Sequence, residues 1–421
     1  MKLVVTIFED TPEAAIAAIR ALTLDHDAIE VRLDAFGGRA ADLHALRAAT
    51  RKPVIITNRG GQPPDIDAAL VAGIDFVDIE YRPDSDIGPH PDRIVLSHHD
   101  FEAVPDLAPL IAAMTSRRCA HTKIAVTPHT LRENEALLQA IRPGLTLFGM
   151  GERGLYSRIL APFFGSELAF AGNAAPGQLS LERAVAIYGD RRLRRPEKIF
   201  AIAGNPAGHS LSPSIHNALF RKHGVAAAYT IASFESFEEI AESFQRGSIA
   251  GLSVTAPFKD DALRFAHRIG AKIAPNAAEA QAVNTLVRTP SGVIADNTDV
   301  DGFEILLHEM PARRAAVVGA GGTGRAAVVA LRRLGREITI FNRTPKPGTQ
   351  PLEALSRSDA ELIINTLPGS VDLEMPEGRT VIDAAYGGRR RSDSGLRLLE
   401  AQAMRQNELF LEAFDFAKYH G

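Results

Sequence analysis

A lysine and a histidine in the first half of the chain could carry out covalent and proton-transfer chemistry. Lys123 lies in HTKIAV, a run that is otherwise apolar at its inner positions. An apolar enclosure disfavours an ammonium, so the amine could be neutral and condense with a carbonyl to form a Schiff base. A lysine reaching out from a strand end is an equally good interpretation. His99, in SHHDF, is a candidate general acid and base, although His98 beside it leaves open which ring points inward.

A lysine and an aspartate in the second half form another possible pair. Lys259 follows a short apolar run that ends at Pro257, and Asp299 lies in ADNTD. On facing loops the two could handle a proton, but a surface salt bridge, worth about 0–1 kcal/mol, is the simpler interpretation. Ser212 before a proline predicts a helix start, and with Ser210 its hydroxyl could hold a polyhydroxylated anion.

The glycine-rich segment GAGGTG is the most specific motif in the chain. It follows the β-type run Arg314–Val318 and precedes a helical pattern at Arg325–Leu334. In this setting G-x-G-x-x-G predicts a dinucleotide-binding turn. The next predicted strand, Glu337–Phe341, leads into Asn342-Arg343-Thr344, with Arg343 in place of the acidic residue expected for NAD. Lys346 is close by, so we expect NADP. The residues predicted to bind it are Gly319, Ala320, Gly321, Gly322, Thr323, Gly324, Asn342, Arg343 and Thr344.

The first-half residues must be positioned by strands that alternate with short, alanine-rich amphipathic segments. This alternation predicts a parallel sheet, and eight repeats predict an α/β fold with a closed eight-stranded (β/α) barrel. The half is shorter than the usual length of about 250 residues, so its helices must be brief. Charged residues at the carboxyl ends of the strands would form the site. The predicted strands are Leu3–Ile7, Ala28–Leu33, Pro53–Thr57, Phe76–Ile79, Arg93–Ser97, Thr122–Val126, Leu145–Met150 and Leu168–Ala171.

A polar, basic segment, DRRLRRPEK at residues 190–198, has the composition of a linker. We therefore predict a barrel at residues 1–189. An α/β substrate domain is expected at residues 199–301, rejoined by a C-terminal helix at residues 395–421. A Rossmann-type nucleotide domain is expected at residues 302–394.

Composition limits the partners. The chain has 421 residues, 45% of them hydrophobic, and a formal net charge of −4, which gives no reason to expect nucleic acid or a membrane surface as a partner. One cysteine suits a reducing compartment. With no transit-like extension or spanning apolar run, we expect a cytoplasmic protein with small-molecule substrates. No metal is expected, and the oligomeric state is open.

Six motifs of the first half, EVRLD, SHHDF, TKIAV, GxxGxxSR, FFGSELAF and APGQ, occur in the order found in type I 3-dehydroquinate dehydratases. This half therefore resembles that family. The resemblance implies that Lys123 forms an imine with the C3 carbonyl of 3-dehydroquinate. His99 would remove the C2 proton and protonate the leaving C1 hydroxyl. The residues expected to hold the substrate are Glu30, Arg32, Arg59, Arg158 and Gln178.

Two positions depart from that family pattern. Ala174 replaces a serine of SAPGQ, and Pro63 occupies the position of a glutamate thought to orient the histidine. Asp65 or Glu80 could take over that role. A weakened dehydratase is therefore one of the alternatives.

The second half, with SLSPSIHN, VTAPFK, AVNT, DNTD, GAGGTGR and NRT, is similar to shikimate dehydrogenase. The resemblance implies that Lys259 and Asp299 form the catalytic pair. Ser253 replaces an asparagine of the family, and two glycines follow Tyr386 where a proline is usual nearby. The residues expected to contact substrate are Ser210, Ser212, Thr255, Asn284, Asp299, Tyr386 and Gln402.

Together the two resemblances predict a bifunctional shikimate-pathway enzyme. It would dehydrate 3-dehydroquinate to 3-dehydroshikimate and reduce this product to shikimate with NADPH. The main alternative is a monofunctional shikimate, or quinate/shikimate, dehydrogenase with a degenerate barrel. A metabolite-sensing regulator built from the same domains is a further alternative, which the retained lysines, histidine and aspartate disfavour.

Overall fold

The computed structural model describes residues 1–371, 373–385 and 392–414, and the chain divides into two compact units. Unit 1 comprises Met1–Glu197 and Phe220–Ser233, and unit 2 comprises Lys198–Leu219 and Phe234–Gly421. Throughout the described ranges, no helix combines the length and the apolar character needed to span a bilayer.

Unit 1 is built around a sheet of eight parallel strands. Strands β1 to β7 follow one another in sequence order, and β8 pairs with β1. The predicted α/β class is confirmed, and each predicted strand is present with its ends shifted by a few residues. The strands are β1 (Lys2–Ile7), β2 (Ala28–Arg32), β3 (Val54–Thr57), β4 (Phe76–Glu80), β5 (Ile94–Asp100), β6 (His121–Val126), β7 (Leu145–Gly149) and β8 (Leu168–Ala171).

Short helices connect these strands, as the brevity of the first half predicts. They are α1 (Pro12–Ala21), α2 (Leu43–Ala48), α3 (Ile66–Val71), α4 (Leu107–Thr115), α5 (Leu131–Ala140), α6 (Leu155–Leu160) and α7 (Leu181–Tyr188). Most begin after a residue whose side chain accepts a hydrogen bond from a backbone N–H of the first turn, which stabilises the helix start. These capping residues are Thr11, Asp42, Asp65, Asp106, Thr130 and Ser180.

The eight strands form a near-barrel, as predicted, and its last seam, between β7 and β8, is not bridged by a continuous ladder. Among the described residues, no strand pairing joins β7 to β8. Instead, Leu168 N donates to Thr146 Oγ1 at 3.0 Å, and Leu147 N donates to Ser166 Oγ at 3.3 Å. Hydroxyl groups thus satisfy buried backbone donors at this seam, where strand pairing would otherwise do so.

The chain continues with further strands and helices. The strands are β9 (Lys198–Gly204), β10 (Ala227–Ser233), β11 (Gly251–Val254), β12 (Lys272–Ile273), β13 (Thr285–Thr289), β14 (Gly292–Asp296), β15 (Arg314–Val318), β16 (Glu337–Asn342), β17 (Gln350–Pro351), β18 (Leu362–Asn365) and β19 (Thr380–Asp383). The helices are α8 (Ser212–Lys222), α9 (Phe237–Arg246), α10 (Lys259–Arg268), α11 (Pro275–Ala280), α12 (Thr298–His308), α13 (Gly322–Arg333) and α14 (Asp393–Leu411).

Two sheets organise unit 2. In the first, β9, β11, β13, β14 and β12 lie side by side in a mixed sheet. In the second, β17, β16, β15, β18 and β19 are all parallel. Ala315 and Val317 pack into one hydrophobic cluster, and Ala316 and Val318 pack into another on the opposite face. The second sheet is therefore covered on both faces, as a parallel sheet requires.

Strand β10 belongs to unit 1 although it follows the predicted linker. Thr230 Oγ1 donates to Tyr156 O at 3.0 Å, and Ser233 Oγ donates to Glu152 Oε1 at 2.7 Å. Tyr156 lies in α6, which also carries Arg158. The helix that carries this predicted substrate residue is therefore packed in part by residues from beyond the linker.

In the glycine-rich turn, the backbone at Gly324 packs directly against the backbone at Gly319. Gly319 has a φ of +102°, and a Cβ at Gly324 would lie 2.0 Å from Gly319 O. Helix α13 begins at Gly322, inside the motif, rather than at Arg325 as predicted. The turn can take this shape only because the two glycines lack side chains.

We expect Gly324→Ala to destabilise unit 2, because the new methyl group would collide with a backbone oxygen that cannot move aside. Such overpacking costs about 1–3 kcal/mol, which would be measured as a lower denaturation midpoint. Gly321→Ala is the matched control, since a Cβ there meets nothing within 4 Å. Equal midpoints for the two variants would contradict this account of the turn.

Candidate active sites

Lys123, on β6, has a buried amine between an aromatic ring and two carboxylates. The residue is 5% exposed, so a lysine reaching out from a strand end is excluded. Its Nζ lies 4.1 Å from the Phe170 ring centre, 3.6 Å from Glu30 Oε1 and 3.7 Å from Asp78 Oδ2. The predicted apolar enclosure is therefore wrong. The carboxylates come from β2 and β4, and only the assembled barrel brings these strands into register with β6.

Glu30 is held as a carboxylate. Its oxygens accept hydrogen bonds from Thr6 Oγ1 at 2.8 Å and Thr57 Oγ1 at 3.0 Å. Burial raises its pKa, but the positive charges of Lys123 and Arg59, with the Thr6 hydrogen bond, outweigh burial and bring the pKa to about 2. Glu30 is therefore an anion at neutral pH beside the Lys123 amine.

Arg59 is the centre of a second hydrogen-bond network. Its Nη1 donates to Glu80 Oε2 at 2.6 Å and to Ser97 Oγ at 2.8 Å, and its Nη2 donates to Asp78 Oδ2 at 2.8 Å. Ser97 Oγ also donates to Asp78 Oδ1 at 2.6 Å. The guanidinium thus ties β3 to β4 and β5, in addition to lining the cavity described below.

His99, rather than His98, faces this network. Side chains alternate along a strand, so His99 shares a face with Ser97. Glu80 Oε1 accepts from His99 N at 2.8 Å, and Glu80 Oε2 lies 2.9 Å from His99 Nδ1. Burial lowers the pKa of His99, the hydrogen bond to Glu80 opposes this, and the Lys123 charge lowers it further. The ring is therefore neutral at neutral pH, which is the protonation state of a general base.

All residues predicted for the site of the first half line one cavity in unit 1. Thr6 lines it as well, and sequence reasoning did not single out this residue. The predicted residues in the lining are Glu30, Arg32, Arg59, His99, Lys123, Arg158 and Gln178.

Arg158 is the cavity cation best suited to an anionic ligand. Its Nε donates to Gly149 O at 3.1 Å, and its guanidinium lies 4.4 Å from the centre of the Phe148 ring. Burial lowers its pKa to about 10, which leaves it charged at neutral pH. In the part of the chain that the structure describes, no carboxylate pairs with Arg158, whereas Arg32 is paired with Asp34 at 2.7 Å.

The loop after β8 is held over the cavity by Gln178. Its Nε2 donates to Thr6 Oγ1 at 3.0 Å, and its Oε1 accepts from Ala174 N at 2.9 Å. Ala174 occupies the position of the family serine and lines the cavity without a side-chain hydroxyl.

Lys259 and Asp299 form a buried pair in unit 2. Each residue is 8% exposed, and Lys259 Nζ donates to Asp299 Oδ2 and, at 2.8 Å, to Thr323 Oγ1. The prediction of facing loops is corrected, since Lys259 begins α10 and Asp299 lies in the first turn of α12. Because the pair is buried, the interpretation as an exposed surface salt bridge is also excluded.

Asn284 and Gln402 extend this pair into a polar cluster. Asn284 Nδ2 donates to Asp299 Oδ1 at 2.8 Å and to Thr298 Oγ1 at 3.1 Å, and Thr298 Oγ1 donates to Gln402 Oε1 at 3.2 Å. The predicted residues that line this second cavity are Ser212, Thr255, Lys259, Asn284, Asp299 and Gln402.

Ser210, a further predicted substrate residue, is not part of this lining. Ser210 is buried, and its Oγ accepts from Ser212 N at 3.2 Å, so it supports the turn before α8. Tyr386 lies outside the described residues.

Gln406 is a cavity residue that the sequence analysis missed. Its Oε1 accepts from Ser253 Oγ at 2.5 Å, and its Nε2 donates to Thr285 Oγ1 at 2.7 Å. Its spacing of four residues from Gln402 places both on one face of α14, a signal that could have identified it. Asp78 was missed in the same way, although its spacing of two from Glu80 on β4 puts both on one strand face.

The nucleotide-type turn is completed by the end of β16. Ala320 N donates to Asn342 Oδ1 at 3.1 Å, and Asn342 Nδ2 donates to Thr344 O at 2.7 Å. Lys346 Nζ donates to Ala320 O at 3.3 Å, and Arg343 is exposed. The turn and the end of β16, which carry the predicted cofactor residues, thus meet at one end of the parallel sheet. Two cations, Arg343 and Lys346, lie beside the turn.

Two family models match separate parts of the chain. Residues 3–193 match the family model of type I 3-dehydroquinase, and residues 202–286 match that of the shikimate dehydrogenase substrate binding domain. The chain joins a type I 3-dehydroquinase domain to a shikimate dehydrogenase domain. Both family resemblances stated from the motifs are confirmed. In the dehydroquinase domain, Lys123 and His99 share one cavity; in the dehydrogenase domain, Lys259 and Asp299 share another.

Curated relatives are similar to the chain across both domains. A chloroplastic bifunctional 3-dehydroquinate dehydratase/shikimate dehydrogenase of Arabidopsis thaliana is 27% identical, over 80% of this chain and 64% of its own length. A pentafunctional AROM polypeptide of Mycosarcoma maydis is 30% identical, over 82% of this chain and 23% of its own. The chain thus spans less than two thirds of the length of each relative.

Solved structures are also similar to the chain. The dehydroquinate dehydratase and shikimate dehydrogenase region of S. pombe AroM is 23% identical, covering 97% of this chain and 95% of that one, with a TM-score of 0.39. Shikimate 5-dehydrogenase of Thermus thermophilus, in complex with NADP(H) and shikimate, is 27% identical, covering 50% and 92%, with a TM-score of 0.43.

Proposed function

We propose that this chain is a bifunctional enzyme that dehydrates 3-dehydroquinate to 3-dehydroshikimate and reduces that product to shikimate with NADPH. The convergence of Lys123, His99 and Arg158 on one cavity carries the first half of the proposal. The buried pair of Lys259 and Asp299 carries the second.

Dehydration would begin with attack of the Lys123 amine on the C3 carbonyl carbon. Loss of water gives an iminium, an electron sink that acidifies the neighbouring C2–H. His99 then takes the C2 proton, and the resulting enamine expels the C1 hydroxyl, which leaves as water after His99 protonates it. Water hydrolyses the conjugated imine and returns the free lysine, so the net change is loss of one water molecule.

The other cavity residues suit the groups that substrate presents. Arg158 would bind the carboxylate, because it is a buried cation with no carboxylate partner among the described residues. Glu30 and Gln178 offer oxygen and amide groups to hydroxyls. Arg59 already donates hydrogen bonds to three protein side chains, so any hydrogen bond to substrate would be made alongside these three.

Reduction in the dehydrogenase domain requires a proton donor at the substrate oxygen. Lys259 would supply the proton to the carbonyl oxygen, and Asp299 would hold the lysine and accept a hydrogen bond from a substrate hydroxyl. Asn284 keeps the Asp299 carboxylate in place through its 2.8 Å hydrogen bond. The reduced nicotinamide, when bound, supplies the hydride to the carbonyl carbon.

The glycine-rich turn and its neighbours fit NADP. A Cβ at Gly321 would meet nothing within 4 Å, so the turn leaves open space in which a pyrophosphate could approach the start of α13. Arg343 and Lys346 supply positive charge near the turn, which would suit a ribose 2′-phosphate.

We expect Arg343→Asp to weaken NADPH far more than NADH. Hydrogen bonds to charged groups are worth about 1.5–3 kcal/mol, so the KM for NADPH should rise about 10- to 100-fold. Steady-state kinetics with both cofactors would measure this. Arg313→Ala is the control, because Arg313 is exposed at the opposite end of the parallel sheet and pairs with Glu337. An unchanged ratio of the two KM values would contradict the NADP assignment.

A coupled assay tests the whole proposal. The purified chain is mixed with 3-dehydroquinate and NADPH, and loss of NADPH absorbance is followed. Oxidation of NADPH is the expected result, because the first site must make the substrate of the second. A response to 3-dehydroshikimate alone would identify a monofunctional reductase with a relic barrel, which the intact Lys123 cavity argues against.

Several expectations remain part of this proposal. They are the domain limits at residues 1–189, 199–301 with 395–421, and 302–394, and a cytoplasmic location, which the single cysteine favours. The substrates and products are small molecules in both steps.

A further inference from the structure

The carboxylate that holds His99 is Glu80. Its Oε2 lies 2.9 Å from His99 Nδ1, and its Oε1 accepts from the backbone N–H of the same residue at 2.8 Å. Both oxygens of one carboxylate therefore contact one histidine, which sets the position of its backbone and the rotation of its ring together.

Glu80 is itself held in place and ionised. Arg59 Nη1 donates to its Oε2 at 2.6 Å. Burial raises the pKa of Glu80, but the interactions that lower it, among them the hydrogen bond with His99 and the positive charge of Arg59, outweigh burial, so the net shift is downward. An ionised carboxylate accepts only, so the proton of the shared hydrogen bond lies on His99 Nδ1.

This arrangement leaves His99 Nε2 as the basic nitrogen. In a neutral imidazole with the proton on Nδ1, the other ring nitrogen is the acceptor. His99 lines the cavity that contains the Lys123 amine. A carboxylate that fixes the tautomer and orientation of a catalytic histidine is a general device of acid–base catalysis.

The other residues considered for this role do not contact the histidine. Asp65 Oδ1 accepts from Ala68 N at 3.0 Å and caps α3. Pro63 is exposed and has no polar side-chain atom. Within the described residues, the carboxylate on His99 is therefore that of Glu80.

We infer that Glu80 is the positioning residue for His99, held by Arg59, and that it selects the tautomer in which Nε2 acts as the base. This inference rests on the proposed dehydration. It also explains how the chain can keep the reaction while Pro63 stands in the loop after β3.

The test compares Glu80→Gln with Asp65→Asn in the full chain. Glu80→Gln removes the charge, and its amide can favour the wrong tautomer, so kcat for 3-dehydroquinate should fall about 100-fold, within the range of general acid–base catalysis. KM should change much less, because Glu80 is not expected to touch substrate. Asp65→Asn, the same carboxylate-to-amide change outside the network, should leave both values unchanged.

The pH profile separates positioning from mere structural support. The Glu80 carboxylate raises the pKa of His99 against the effects of burial, Lys123 and Arg59. Removing its charge lowers that pKa, so the acid limb of kcat should move to lower pH in Glu80→Gln. Three results would overturn the inference. The first is a fall in kcat of Glu80→Gln without a shift of the acid limb, and the second is a normal kcat in that variant. The third is an equal fall in kcat in Asp65→Asn.

Borohydride trapping distinguishes failure of this inference from failure of the proposed function. With 3-dehydroquinate present, reduction should fix substrate carbon on Lys123 in wild type and in Glu80→Gln, detected by peptide mass spectrometry. Absence of both turnover and trapping in wild type would refute the dehydration itself. If Glu80→Gln does not fold, Glu80→Asp keeps the charge but withdraws it from His99; a wild-type kcat in that variant would overturn the inference.

Discussion

Lys123→Ala should abolish dehydration of 3-dehydroquinate while the chain continues to reduce 3-dehydroshikimate with NADPH. Alanine has no amine, so no imine can form, and the C2 proton loses the electron sink that makes it acidic. Removal of a covalent nucleophile costs on the order of 10⁵-fold or more in other enzymes. The loss should appear in kcat, measured by the absorbance of the conjugated product.

The retained reductase activity is an internal control for folding of the second unit. Lys52→Ala is the matched control for the first unit, because Lys52 is an exposed lysine of the same unit. Lys123→Ala also removes a cation from Glu30 and Asp78, which lie 3.6 and 3.7 Å from its Nζ. Circular dichroism and the denaturation midpoint should therefore accompany the assay. Substantial dehydration by a folded Lys123→Ala variant would refute the Schiff-base mechanism.

Lys259→Ala should have the converse effect. Reduction of 3-dehydroshikimate should fall about 10³-fold, within the range of general acid–base catalysis, while dehydration proceeds normally. The reason is that no other cation among the described residues lines the cavity around Asp299. Reduction would be followed by NADPH absorbance, and dehydration by product absorbance without NADPH.

Asp299→Asn tests the contribution of the aspartate separately from that of the lysine. It leaves the lysine in place but removes the carboxylate that accepts from Lys259 Nζ and Asn284 Nδ2. We expect a loss of reduction comparable with that in Lys259→Ala. Lys272→Ala, at an exposed position on β12, is the control. Near-normal reduction in either Lys259→Ala or Asp299→Asn would contradict the assignment of the catalytic pair.

In the dehydroquinase site, the residues that would react could be predicted from the sequence, but the carboxylates that position them could not. Lys123 and His99 stand in short motifs that are specific when taken together, so their roles could be proposed from the order of these motifs in the sequence. The carboxylates around them could not, because Asp78 and Glu80 lie on β4 while Lys123 lies on β6. The pairing of β4 with β5 and of β5 with β6 brings them together.

The dehydrogenase site shows the same limit. The order of its motifs predicted Lys259, Asp299 and Asn284, but the burial of the first two at helix starts became visible only in the fold. Gln406 is more than one hundred residues from Ser253 and Thr285, with which it shares hydrogen bonds. Such contacts depend on where α14 packs, and no local pattern specifies that.

By itself, the sequence determined the α/β class, the order of the strands, both family assignments and the residue types that could form an imine, move a proton or bind a dinucleotide. These properties follow from local periodicity and from motifs in which the reacting residues are neighbours along the chain. The tertiary structure decided which histidine faces inward, that two carboxylates rather than apolar groups surround Lys123, and that Glu80 rather than Asp65 holds His99. The physical reason is that hydrogen bonds and ion pairs act over a few ångströms of space, and strand pairing brings to that distance residues that the sequence keeps far apart.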